Sequence, residues 1–295
     1  MRYFIVFICM PVIQKIVSRL LGWVTPYLIP LFSITGAASF WLSIFGVFLK
    51  QLIANCLFVM VLYRKERYLP KKELQTNKPG GILYFAAVGF LLQFIGIVCN
   101  AVMAVFLKKL GLTVPSSPLM IPQTVWQYTA QIAVACLAPA VFEEVLFRRF
   151  VFDHIRGYSR ASAVIFSALF FATAHYDFFN FPATFLVGLV LGVFRAGGAP
   201  LLYCITTHFA TNCCATILNV ALENAVIASF FNRYLILIFV LALVFILLLL
   251  PKHKNFCIPS EEFCSEKQSY IKALLVNPLF YVYIFCFLVL GVKSL

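Results

Sequence analysis

The sequence is poor in charge. Of its 295 residues only 11% are Asp, Glu, Lys or Arg, whereas 63% are apolar. A soluble domain carries roughly a quarter charged residues, so this composition, with a mean hydropathy of +0.99, has lipid as its main solvent. Acid is scarcest, with ten Asp and Glu against 23 Lys and Arg, a net charge of +13. No basic stretch is interleaved with stacking aromatics, which excludes nucleic acid as a partner. The cations gather instead in loops and at helix ends, where they set topology and meet anionic headgroups. The ten cysteines include no CxxC pair. Cys56, Cys99, Cys136, Cys204 and Cys286 lie in apolar runs and read as small hydrophobes. Cys257 and Cys264 share a loop and read as reduced thiols if that loop is cytoplasmic. There is no HExxH zinc motif, no internal repeat of the kind that builds transporters, and no small-residue cleavage site marking a secretory signal.

What is present is a series of apolar runs at about 38–62, 81–107, 125–144, 161–176, 183–197, 200–221, 227–250 and 273–290. At about 20 residues per span, this length allows an all-α bundle of about eight transmembrane helices. Residues 1–37 read as an N-terminal anchor or interfacial segment and 38–295 as one multi-span domain, with its chemical core at about 125–221. The runs at 161–176 and 183–197 are short, as protein-enclosed helices are. Arg64 to Gly80 carries six basic and two acidic residues, and Arg148 to Arg160 carries four more cations. Placing these stretches and Lys252 to Lys272 inside follows the positive-inside rule, with Lys108 and Lys109 as a mild violation. Glu143 then falls near the inner face, where a pocket is expected to open.

Ionisable groups at hydrocarbon depth cost roughly 2.5–3.5 kcal/mol on insertion scales, so they mark function. Glu143 and Glu144 end one apolar run. Adjacent helical residues point about 100° apart, and Glu144 has Arg148 at i+4 whereas Glu143 has Phe147. Glu144 is therefore expected to pair with Arg148. Glu143, lacking a local cation, is expected to be desolvated, with the raised pKa of a general base. The plain alternative is a boundary charge cluster, with Arg148 and Arg149 snorkelling to headgroups. His175 ends the next apolar run, with Phe171 one turn before it. His208 and Asn212 share a helix face in a third run, two hydrogen-bonding groups suited to a developing oxyanion. Singly, each reads as an interhelical polar contact. Together they outline a site in which Glu143 and His175 activate a water and His208 and Asn212 hold the oxyanion.

The ordered set EExxxR (Glu143, Glu144, Arg148), FxxxH (Phe171, His175) and HxxxN (His208, Asn212) resembles the type II CAAX prenyl endopeptidase family, also called the CPBP or Abi family of glutamic-type intramembrane proteases. The resemblance implies a helix bundle around a conical catalytic cavity and peptide-bond hydrolysis by a glutamate-activated water with no obligatory metal. It also implies a membrane-associated or lipidated peptide or protein as substrate. The location it implies is the plasma (inner) membrane in a prokaryote or the endoplasmic reticulum in a eukaryote. Two positions depart from the usual pattern: Arg149 stands where the family often has glycine, and Ala172 replaces a common glycine. The chain ends Val-Lys-Ser-Leu and is not expected to be a prenylation substrate itself. Two alternatives use the same groups. Zinc held by one carboxylate and two histidines would give a metalloprotease. A non-proteolytic transporter or scaffold would bring Asp177, Arg195 and Glu223 into its pathway. Gly188 and Gly192 read as close helix packing, not a dimer face.

Overall fold

The computed structural model describes residues 36–53, 79–114, 122–157, 159–222, 225–257 and 275–292, with single positions at 16, 19 and 20. Most of the expected 1–37 anchor, and Glu223, lie outside the described residues. The described chain is an all-α membrane helix bundle with no strand. Its helices are α1 (Gly36–Gln51), α2 (Pro79–Lys109), α3 (Val125–Ile155), α4 (Arg160–Ala174), α5 (Phe181–Ala196), α6 (Leu201–Leu222), α7 (Ala225–Cys257) and α8 (Pro278–Val292). Among the described residues three segments are long and apolar enough to cross a membrane: Gly81–Lys109, Val125–Ile155 and Leu201–Leu222.

Small residues and threonines set the two closest helix pairs. Helices α2 and α6 run parallel, in a register that advances four residues at a time. Thr207 Oγ1 donates to the Phe85 carbonyl at 3.0 Å, and Thr211 Oγ1 to the Gly89 carbonyl at 3.0 Å. A Cβ on Gly89 would stand 2.2 Å from the Thr207 carbonyl oxygen, so only glycine permits this approach. Helices α4 and α5 run antiparallel: a Cβ on Gly188 would meet Ala168 Cα at 2.9 Å, and one on Gly192 would meet Val164 Cα at 3.2 Å. The GxxxG spacing thus serves packing within the chain. Between the pairs lies an aromatic core that includes Phe85 stacked on Tyr203 and Phe147 edge-on to Phe171.

Helix α3 departs from the sequence reading. The apolar run ends near Glu144, but the helix continues to Ile155. Its charges pair along it: Arg148 Nε lies 3.0 Å from Glu144 Oε2, and Arg149 Nη1 lies 3.4 Å from Asp153 Oδ2. Asp153 also receives Arg195 at 2.9 Å and Arg156 at 3.3 Å. Arg148 is fully buried and does not snorkel. Two wide π-helical stretches, Ile132–Leu137 and Val145–Phe152, flank the α-helical Ala138–Glu144. The first precedes Pro139, whose ring crowds the carbonyl of Ala135 and whose nitrogen has no proton to give it. The Ala138 N–H bonds to the Ala133 carbonyl, and this wider turn accommodates the proline.

Candidate active site

Helices α3, α4 and α6 bring Glu143, His175 and His208 together. His175 Nε2 lies 3.8 Å from Glu143 Oε2, and His208 Nε2 lies 4.0 Å from the same oxygen. Both rings are anchored through their other nitrogen. His175 Nδ1 meets the Phe171 carbonyl at 2.8 Å. A carbonyl only accepts, so Nδ1 carries a proton, and the ring turns Nε2 toward Glu143. His208 Nδ1 donates to Glu144 Oε1 at 2.9 Å. The two adjacent carboxylates therefore leave α3 in different directions, as helical geometry requires, yet meet the two nitrogens of one imidazole. The sequence pairs Glu144 with Arg148 only; its bond to His208 depends on where α6 lies.

Phe171 sits at the centre of this cluster. It is buried, edge-on to His175 at 5.0 Å and to His208 at 5.4 Å, with the Arg148 guanidinium 5.2 Å from its ring centroid. A cation beside an aromatic ring is held by the ring quadrupole. The end of α4 that carries His175 is pinned to α8, where Thr173 and Tyr283 share a hydrogen bond and Tyr176 packs on Phe287. Tyr176 has φ 51°, a left-handed conformation that stops the helix after His175. A non-glycine residue there costs roughly 1–2 kcal/mol, supported here by its burial.

A cavity of about 460 Å³ lies against the two histidines. Phe171, His175, His208 and Asn212 line it, with Asn212 one turn beyond His208 on α6. Glu143 is not among the lining residues. Its side chain is 11% exposed, with Oε2 buried behind the two rings that line the cavity. The other walls come from α2, which contributes Gln93 and Asn100, and from the α4–α5 turn, which contributes Asp177 and Asn180. Sequence reasoning missed the α2 wall. Its only signal is a carboxamide at two positions of an apolar helix.

The cavity lies at the end of the bundle opposite the one expected. Glu143 precedes the end of α3 by twelve residues, about 18 Å at 1.5 Å per residue. The Arg156–Arg160 turn and the Asp153–Arg195 cluster stand at that end of α3. The cavity is lined by the turn at the other end of α4 and by the C-terminal halves of α2 and α6. Continuation of α3 past its charges is the physical reason. Of the three groups the transport reading enlists, Asp177 lines the cavity, Arg195 is locked to Asp153 at the far end, and Glu223 falls outside the described residues.

Among the described residues no group of three or more His, Cys, Asp or Glu side chains is arranged to hold a metal ion. Cys99, Cys136, Cys204, Cys213, Cys214 and Cys286 are free thiols. Residues 125–214 match the family model described as type II CAAX prenyl endopeptidase Rce1-like. The matched stretch contains every residue of the three motifs, and the resemblance read from those motifs is borne out. No curated protein matches the chain, and no solved structure does.

Proposed function

We propose that the protein is a glutamic-type intramembrane endopeptidase that hydrolyses peptide bonds of membrane-associated or lipidated substrates. The convergence of Glu143 Oε2 with His175 Nε2 at 3.8 Å carries this reading. The two atoms are too far apart for a direct hydrogen bond, and His175 lines the cavity from which a water would be drawn. Such a water adds its oxygen to the substrate carbonyl carbon while Glu143 accepts its proton. Charge then develops on the carbonyl oxygen, and His208 Nε2 with the Asn212 carboxamide donates to it. For Nε2 to donate while Nδ1 bonds to Glu144, both ring nitrogens must carry a proton. The carbon–nitrogen bond breaks as the nitrogen takes up the proton, leaving a carboxylic acid and an amine.

Helix-borne groups around a protein-lined cavity supply the wet space that hydrolysis within a bilayer requires. Lipidation of the substrate, and residence in the plasma (inner) membrane or the endoplasmic reticulum, belong to the same proposal. A zinc-dependent hydrolysis would draw on Glu143, His175 and His208, which are not arranged as a metal site here. Comparing peptide termini in membranes containing the wild type and Glu143→Gln tests the main reading. Termini that vanish in the variant are expected, and their persistence would overturn it. Purified wild type is expected to retain activity after chelator treatment, and loss restored by zinc would favour the metal.

A further inference from the structure

The wall of the cavity formed by the α4–α5 turn and α2 presents acceptors without a cation. Asp177 is acceptor-only when ionised. Its Oδ1 receives the Asn180 backbone N–H at 3.1 Å and its Oδ2 receives Asn180 Nδ2 at 2.5 Å. That second bond fixes the Asn180 amide, because its nitrogen must face the carboxylate. Asn180 Oδ1 then accepts from Asn100 Nδ2 at 2.7 Å. This in turn fixes Asn100, whose Oδ1 is buried and has no hydrogen-bond partner. The direction of the whole chain of bonds follows from one charge.

Neutral donors occupy one site on each Asp177 oxygen, out of about four that a carboxylate offers. No Lys or Arg lines the cavity, and no ion pair engages Asp177 among the described residues. Asp177 is half-buried, and Leu92, Ile97 and Val187 line the same space beside it. The group that fits is a donor-only cation: an ammonium with three N–H bonds or a guanidinium with five. A free C-terminal carboxylate has no counter-charge on this wall.

Resting on the proteolytic reading for its context, we propose that Asp177, Asn180 and Asn100 form a substrate subsite for a cationic group of the bound peptide. The group is a Lys or Arg side chain, or an N-terminal ammonium. The subsite lines the same cavity as His175 and His208, so it selects where along the peptide cleavage falls.

The test measures binding without turnover. Glu143→Gln protein in lipid nanodiscs is titrated with an apolar, N-acetylated fluorescent peptide carrying one internal Lys, and with its norleucine counterpart. A third peptide lacks Lys and keeps a free N-terminus. Either Lys or the free ammonium is expected to improve binding about tenfold over norleucine, the effect of one hydrogen bond to a charged group. Whichever arm gains identifies the source of the cation. In the Asp177→Asn background, which keeps an acceptor for the Asn180 N–H, the gain should vanish while norleucine affinity holds. Asn100→Leu should reduce it in part. Equal affinity of all three peptides for the Glu143→Gln protein, or a gain that survives Asp177→Asn, overturns the subsite. If wild-type protein cleaves no peptide but the charge preference stands, the proteolytic reading fails and the subsite does not.

Discussion

Replacing Glu144 with Gln keeps the shape of the side chain and removes its charge, which isolates what that charge does in the buried cluster. Glu144 and Arg148 have fully buried side chains 3.0 Å apart, and the Glu144 carboxylate also accepts from His208 at 2.9 Å. Gln can still accept from His208 Nδ1, so that bond is expected to survive. The Arg148 guanidinium loses its counter-charge, with none of its three nitrogens making a hydrogen bond and the Phe171 ring as its remaining support. Leaving one member of a buried pair alone costs about 3–5 kcal/mol. Replacing both members with apolar groups of similar volume is close to neutral. Glu144→Gln is therefore expected to lose about 3–5 kcal/mol of stability and Glu144→Gln/Arg148→Met to recover about 2–3 kcal/mol of it, the upper range of coupling between contacting residues. Denaturant unfolding of the purified protein in mixed micelles, for the wild type, both single variants and the double variant, measures that coupling. The reasoning fails if Glu144→Gln is as stable as the wild type, or if the losses of the two single variants simply add. The double variant is also expected to remain less active than the wild type, because Gln does not reproduce the charge that Glu144 places at His208 Nδ1.

Asn212→Ala is expected to lower turnover by about 10²–10³ with little change in stability, the loss typical of one oxyanion donor, read from steady-state rates and the unfolding midpoint. Gly89→Ala should destabilise the bundle by pushing α2 away from the Thr207 carbonyl, and the same unfolding assay should show a larger loss than for Gly96→Ala, where a Cβ meets only Ala183 Cβ at 3.7 Å. Cations gather at the end of the bundle that holds Arg149, Arg156, Arg160 and Arg195. If that end is inside by the positive-inside rule, the cavity end faces out. A cysteine at Lys109 in a cysteine-free background is then expected to react with an impermeant maleimide in intact cells. A cysteine at Gly157 should react only after permeabilisation, and the reverse pattern would turn the protein over.

Composition and the length of the apolar runs determined that this chain is an all-α membrane bundle, because runs of about 20 apolar residues satisfy their backbone in lipid as helices. Local spacing determined the Glu144–Arg148 pair, since residues four apart on a helix are neighbours wherever the helix lies. The order of the motifs also named Glu143, His175, His208 and Asn212, and the fold brings His175 and His208 each within 4.0 Å of Glu143 Oε2. Where α3 ends was not legible. Arg148 and Arg149 look like a membrane boundary in one dimension, and only the positions of Glu144, Asp153 and the Phe171 ring show that cations can be held inside. The partner of His208 and the amide chain from Asp177 to Asn100 were decided by tertiary structure alone. They join residues 64 and 80 apart, and no local rule of helix geometry reaches across that distance.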